Sequence, residues 1–405
     1  MTLVQLRPGP AIIPCMRNRL SLPSRFQISW LVLVACVTAL VIATFPPPPV
    51  VTLTGPHEVI TQVPQMCVHT RLIDEVEEWK IQRTLEMVRQ MGSPTIVEFF
   101  PWAYAEPTEG EYNWASFDRI VRHASDQGIT VIARLGLVPA WAQPDDDTRV
   151  TINTLTADRF PDFARFAGAF AARYAGVIDR IIIWNEPNLA FEWGYRQVDP
   201  AAYADLLRAV YPAIHAANPG AEVIAAGLAP NLEPPESAAA MSDLLYLEQF
   251  YEAGAANYFD ALSMHPYGLL TGPLDAPDET LLNFRRAELQ RDIMVRNGDA
   301  DKPVYVTEMG WNDSDRWTFG VSPAQRIAYT LGALEYATAE WPWAQALCIW
   351  VMRYPAPTFS YPDHFTLLDT EFRPHPLYLE LRAFAAGESH TDALWLPAPV
   401  MEAGS

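Results

Sequence analysis

The chain has 405 residues, half of them apolar and 19% charged, so it carries ample material for a packed core and is no disordered chain. Pro and Gly together stay far below the roughly 25–30% of low-complexity segments. The formal net charge of −20 argues against a nucleic-acid partner, which needs a basic face to neutralise phosphates, and weighs against polyanionic substrates.

Residues 1–27 form a basic N-terminal segment with Arg7, Arg17, Arg19 and Arg25, and no acidic residue precedes Glu58. Residues 28–45 are an uncharged run. Basic flank plus apolar run predicts an uncleaved transmembrane signal-anchor, with the arginines cytoplasmic and the rest outside. Cleavage near Val41-Ile42-Ala43 would instead give a secreted protein. Residues 46–64, with four consecutive prolines, predict an extended linker.

From residue 65 the chain alternates. Strands are predicted to start near Met66, Thr95, Thr130, Arg180, Glu222, Ala261, Pro303 and Ala346. Helix-like segments fill the gaps. The first shows an apolar stripe of Val76, Trp79, Ile81, Leu85, Val88 and Met91 closed by Gly92; the others are Ser116–Gln127, Phe160–Tyr174, Pro200–Ala217, Ser242–Ala253, Glu279–Arg296 and Pro323–Ala339. Continuous apolar strands suit a parallel sheet buried on both faces. Eight such units over 65–386 predict an α/β fold, a (β/α)8 TIM barrel. An open doubly wound sheet is the competitor, but neither G-x-G-x-x-G nor a Walker loop is present. The tail, 387–405, is left without assigned structure. Cys67 and Cys348 fall on the first and last strands, which closure makes neighbours; two buried free thiols are expected there.

In such barrels the site lies at the C-terminal strand ends. These ends carry Trp102 and Tyr104 (second), Arg134 (third), Asn185 and Glu186 (fourth), His265 and Tyr267 (sixth), Glu308 and Trp311 (seventh), and Trp350 and Arg353 (eighth). Two carboxylates at one mouth suit glycoside hydrolysis, where one donates a proton to the leaving oxygen and the other attacks or stabilises the oxocarbenium-like centre. Aromatic rings suit the apolar faces of sugars. No cofactor and no metal is expected: there is no Cys/His cluster, and the first strand reads His69-Thr70-Arg71 where a metal-dependent barrel hydrolase carries H-x-H.

On these residues the chain resembles the (β/α)8 glycosidase clan with glutamates after strands four and seven, most of all glycoside hydrolase family 39. The resemblance rests on Trp184-Asn185-Glu186-Pro187-Asn188, Thr307-Glu308-Met309-Gly310-Trp311, Trp102 through Glu106-Pro107, Gly110, Tyr112-Asn113-Trp114 and Asp118, and Pro139-Ala140-Trp141-Ala142, and it spans 66–386. It implies a retaining hydrolase of β-linked oligo- or polysaccharides acting outside the cytoplasm. Glu186 would be the acid/base and Glu308 the nucleophile, with carboxyl groups about 5–5.5 Å apart. Asn185 would bind the 2-hydroxyl, His265 and Tyr267 would border the nucleophile, and Trp350 would floor the reacting subsite. Trp102, Arg134 and Trp311 are expected to contact substrate. The resemblance also implies an Arg on strand two, where this chain has Glu98; pairing of Glu98 with Arg134 is the expected compensation. A non-catalytic carbohydrate-binding barrel and a transglycosylase are the alternatives.

Overall fold

The computed structural model describes residues 25–44, 56–144 and 153–388. Most of the basic segment, much of the linker and nearly all of the tail lie outside them. The chain divides into two compact units, Met1–Thr54 and Gly55–Ser405. In the first, α1 (Arg25–Thr44) contains most of the run expected as an anchor. Among the described residues no helix is long and apolar enough to cross a membrane, so the structure adds no support for the transmembrane segment expected at 28–45.

In the second unit, among the described residues, eight strands form the barrel: β1 (Met66–His69), β2 (Thr95–Pro101), β3 (Thr130–Gly136), β4 (Arg180–Ile183), β5 (Glu222–Ala225), β6 (Ala261–Met264), β7 (Val304–Met309) and β8 (Ala344–Ile349). Each pairs in parallel with the next, and β8 returns to β1, closing the barrel. The helices α2 (Glu78–Met91), α3 (Trp102–Ala105), α4 (Ala115–Asp126), α5 (Phe160–Arg173), α6 (Pro200–Ala217), α7 (Asp243–Glu252), α8 (Arg286–Arg296), α9 (Pro323–Glu340) and α10 (Pro376–Ala385) alternate with the strands.

Local chemistry sets these boundaries. The Asp199 carboxylate accepts from Ala201 and Ala202 N–H and Pro200 opens α6; Ser322 and Gln325 form a capping box on α9. Gly92, at φ 86°, ends α2 as expected. Two expectations shift, and one helix is added. Val76 is 89% exposed and precedes α2, so the helical stripe begins later. The helix expected from Glu279 begins at Arg286, because the carbonyls of Asp278, Glu279 and Leu281 accept from the buried Arg286 guanidinium and so make no helical ladder. An additional helix, α10, closes the ring; Tyr378 hydroxyl donates to the Met87 carbonyl of α2.

Strand alternation splits the sheet into two faces. Cys67, Val97, Ile132, Ile182, Ile224, Tyr305 and Cys348 fill the barrel interior. The opposite parity packs on the helices; Phe100, for example, meets Phe117 and Phe170 edge-on. Cys67 pairs in register with Cys348. The two are disulfide-bonded rather than free thiols, because matching parity and register bring both sulfurs into the interior at the seam.

Candidate active site

The loop after β4 is held in an unfavourable conformation. Trp184 and Glu186 have φ of 79° and 37°, a region non-glycine residues seldom occupy and that costs on the order of 1–3 kcal/mol each. Surrounding bonds enforce it. Trp184 N–H donates to Leu135 carbonyl, Glu186 N–H to Gly227 carbonyl, and Trp184 Nε1 to Glu192 carbonyl. Asn188 bridges the next loop, donating to Ala229 and Met241 carbonyls and accepting from Ala229 N–H. The strained turn aims Glu186 inward, over the barrel mouth.

Opposite it, Glu308 is the penultimate residue of β7 and is 6% exposed. Arg134 Nη1 donates to its Oε1 at 2.9 Å and to Asn185 Oδ1 at 2.7 Å. Tyr267 hydroxyl donates to Oε2 at 2.9 Å. Glu308 is thus locked by one cation and one phenol on separate oxygens. Burial, then Glu308 and Glu186, push the Tyr267 phenol well above its usual range, so it stays a donor. Carboxylate oxygens of Glu186 and Glu308 lie within 4.8 Å of each other, with His265 Nδ1 in the same cluster.

His265 links the two acids. Its Nδ1 is 2.8 Å from Glu186 Oε1 and its Nε2 is 3.0 Å from Thr307 Oγ1. Burial lowers its pKa, but Glu308 and Glu186 outweigh this and leave it raised. Gly227 makes the arrangement possible: a Cβ there would sit 2.4 Å from the His265 ring. By spacing, Glu186, His265 and Glu308 could hold a cation. Arg134 already supplies positive charge at Glu308, and the His265–Glu186 contact has hydrogen-bond length.

Two residues of the site escaped sequence reasoning. His69, fully buried on β1, contacts the Thr70 carbonyl through Nδ1 at 2.9 Å. A carbonyl only accepts, so Nδ1 carries the proton. Burial, then Arg134 and Arg71, hold the pKa of His69 well down, so the ring is neutral and Nε2 is a bare acceptor. That nitrogen has no hydrogen-bond partner among the described residues and lies 3.9 Å from Glu308 Oε1. Glu192, in the β4 loop, accepts from Asn185 Nδ2 at 3.0 Å and Asn153 Nδ2 at 2.8 Å. Burial, then Glu186, raise its pKa to about 7. A buried His at a strand end and an acid six positions past Glu186 were the available signals; both patterns are common in cores and loops.

Trp350 borders the cleft with Glu186 and Glu308, its ring 4.5 Å from His69. Trp102 and Trp311 do not reach it. Trp102 is fully buried between Trp141, Phe163 and Phe166, because the chain turns into α3 there and swings the ring onto α5. Trp311 is 2% exposed and donates to Thr271 carbonyl, packed so tightly on Gly268 that a Cβ there would overlap its ring. The expected Glu98–Arg134 pair is also overturned. Register sets Phe99, not Glu98, beside Arg134. Glu98 faces the helical layer, accepting from Thr70 Oγ1 and from Leu72 and Ile73 N–H.

A family model for the glycoside hydrolase 42 beta-galactosidases matches residues 73–145. No curated protein sequence matches the chain. Among solved structures, the fold is similar to a family 39 glycoside hydrolase from the gut symbiont Bacteroides cellulosilyticus, at TM-score 0.63 and 22% identity over 80% of this chain and 63% of that one. It is similar to a monomeric beta-xylosidase from Caulobacter crescentus, at TM-score 0.60 and 19% identity over 82% and 69%. An exo-beta-1,4-mannosidase from an Opitutaceae bacterium matches at TM-score 0.52 and 18% identity over 82% and 60%. The chain therefore spans under two thirds of the length of the first of these relatives. At these identities the likeness establishes the barrel fold that glycoside hydrolases of several families share.

Proposed function

We propose that the chain is a retaining glycoside hydrolase acting by double displacement on a β-linked oligo- or polysaccharide. The observation that carries this reading is the pair of carboxylates, Glu186 in the loop after β4 and Glu308 at the end of β7, with oxygens within 4.8 Å. That fits the about 5–5.5 Å carboxyl spacing of retention better than the about 6.5–9.5 Å that leaves room for a water in inversion. Glu308, fixed by Arg134 and Tyr267, attacks the anomeric carbon; its electron pair forms the glycosyl-enzyme bond as the glycosidic bond breaks. Glu186 gives its proton to the leaving oxygen, then takes one from the water that releases the sugar. His265, hydrogen-bonded to Glu186, orients that carboxyl group. Asn185, held between Arg134 and Glu192, presents its remaining N–H to the 2-hydroxyl, and the neutral His69 ring backs the nucleophile with Nε2 3.9 Å from Glu308 Oε1. Trp350 supplies the apolar surface.

The proposed location is outside the cytoplasm, with the enzyme anchored to the membrane by residues 28–45 or secreted after cleavage. The Arg-flanked apolar run and the Cys67–Cys348 disulfide support it, since disulfides persist in oxidising compartments.

The test is turnover of aryl β-xyloside, mannoside, galactoside and glucoside, with the first-formed anomer followed by proton NMR. Retention with at least one sugar, and loss of turnover in both Glu308→Gln and Glu186→Gln, is expected. A first-formed product of inverted configuration, or turnover that survives Glu308→Gln, overturns the reading. Transfer to added sugar in preference to water would identify a transglycosylase using the same two acids.

A further inference from the structure

Two pockets open on the barrel mouth. One, of about 350 Å³, contains Glu186, Glu308, Trp350 and the Trp317–Tyr361 ring stack. The other, of about 260 Å³, lies on the β2–β4 side and is lined by Arg71, Tyr104, Arg134, Asn185 and Glu192. The reaction centres on the first; from the second it uses Arg134, Asn185 and Glu192, and it leaves Arg71, Asp74 and Tyr104 without a role.

We infer that the β2–β4 pocket is a second carbohydrate subsite, which binds the sugar ring joined to the reacting one on its glycone side. The direction follows from the acids. Glu186, which protonates the leaving oxygen, lines the first pocket and not the second, so the leaving group departs through the first. Arg134 and Asn185 line the second, and Arg134 touches Glu308 and Asn185 together. The sugar beyond the reacting ring therefore meets their far side.

The chemistry of the walls fits a sugar. Glu192 spends one bond per oxygen on Asn185 and Asn153, which leaves acceptor capacity on both oxygens for hydroxyls. With its pKa raised to about 7, it can also serve as a hydroxyl donor in mildly acid solution. Tyr104 is 52% exposed at the rim, an aromatic face open to a ring. The Arg71–Asp74 ion pair, 2.6 Å, stands beside it. The volume falls below the about 300–1,000 Å³ of pockets for drug-sized ligands, which suits one further ring and not a long chain.

This rests on the glycosidase reading, and the test separates the two. The full chain is assayed with matched aryl β-glycosides of xylose and xylobiose, mannose and mannobiose, galactose and galactobiose, and glucose and cellobiose. For the sugar that is turned over, kcat/KM on the disaccharide glycoside should exceed that on the monosaccharide glycoside about tenfold or more, the worth of one or two good contacts. Tyr104→Ala and Glu192→Gln should each lower that ratio several-fold. A ratio near one, or one that neither substitution moves, overturns the subsite while leaving the hydrolase standing. If no glycoside is turned over, the hydrolase reading fails, and binding of the free disaccharides by saturation-transfer NMR decides the subsite: weaker signals in Tyr104→Ala support it, and no binding to either protein refutes it.

Discussion

Arg134 and Glu308 should be energetically coupled, and the coupling can be measured. Their atoms are 2.9 Å apart and the side chains are 11% and 8% exposed. At an effective dielectric near 20, unit charges at that distance attract by about 6 kcal/mol, of which desolvation cancels a large part. Removing one member of a buried pair costs about 3–5 kcal/mol, since the other charge is left behind. Arg134→Met should therefore destabilise the fold by about that amount, or somewhat less where water enters the vacated space. In a Glu308→Gln background the charge is gone, and the loss reduces to packing and the Asn185 hydrogen bond, about 1–2 kcal/mol. The expected coupling is thus about 2–3 kcal/mol. Urea unfolding of the four proteins at pH 7, followed by fluorescence and circular dichroism, gives it directly. Arg134→Met should also lower kcat/KM about 10²–10³-fold, as loss of a preorganised donor does. A coupling below about 0.5 kcal/mol would show that the guanidinium is a bystander.

The Glu192 carboxyl, raised to about 7, gives a pH dependence. Its folded form holds a proton more tightly than the unfolded form, so the stabilisation is complete below the unfolded pKa and is lost as pH rises to about 7. Urea midpoints should show wild type losing up to about 3 kcal/mol relative to Glu192→Gln between pH 5 and 8; parallel curves would refute the shift. Tyr267→Phe removes one hydrogen bond to the Glu308 carboxylate but keeps the ring against Phe365. It should cut kcat/KM about tenfold or more on an aryl glycoside, and an unchanged value would exclude Tyr267 from positioning Glu308. Glu98→Ala leaves Leu72 and Ile73 N–H without their acceptor, so it should cost about 2–4 kcal/mol in denaturation while the shape of the pH–rate profile stays as in wild type. A shifted profile would place Glu98 in the site after all.

The barrel was legible because its strands are short, continuous apolar runs spaced by helix-sized gaps, and because the acids stand directly after two of them. What was not legible is which face of a strand points inward. In Val97-Glu98-Phe99-Phe100 both parities are bulky and all four residues lie at or near burial, as expected for a sheet covered on both sides. A one-residue choice then exchanges core for helical layer, and only the pairing of Phe99 with Arg134 settles it. The same ambiguity hid the fates of Trp102 and Trp311. A Trp after a strand can roof a cleft or plug a core, and here the turn into α3 and the close approach of Gly268 decide for the core. His69 was visible only as a buried ring. Its role depends on a backbone carbonyl that fixes the tautomer, and no sequence pattern records that.

The Arg134 position carries a further consequence. The resemblance implies a guanidinium from strand two, and here it comes from strand three, yet it reaches Glu308. Phe99 on β2 is Arg134's register partner, shares its inward parity, and has its ring 5.2 Å from the guanidinium. The two positions therefore point into the same space from adjacent backbones. If what the site needs is positive charge at Glu308 Oε1, whichever strand supplies it, then exchanging the pair should preserve function in part. The comparison is between Arg134→Phe alone and Arg134→Phe combined with Phe99→Arg. The double variant conserves volume and composition, so both side chains remain available to fill the interior. On an aryl glycoside, the single substitution should lose about 10²–10³-fold in kcat/KM, and the exchange should recover about tenfold or more of it. A folded double variant no more active than the single one would mean that Arg134 acts through its bond to Asn185, whose geometry strand two cannot reproduce, and not through its charge on the nucleophile.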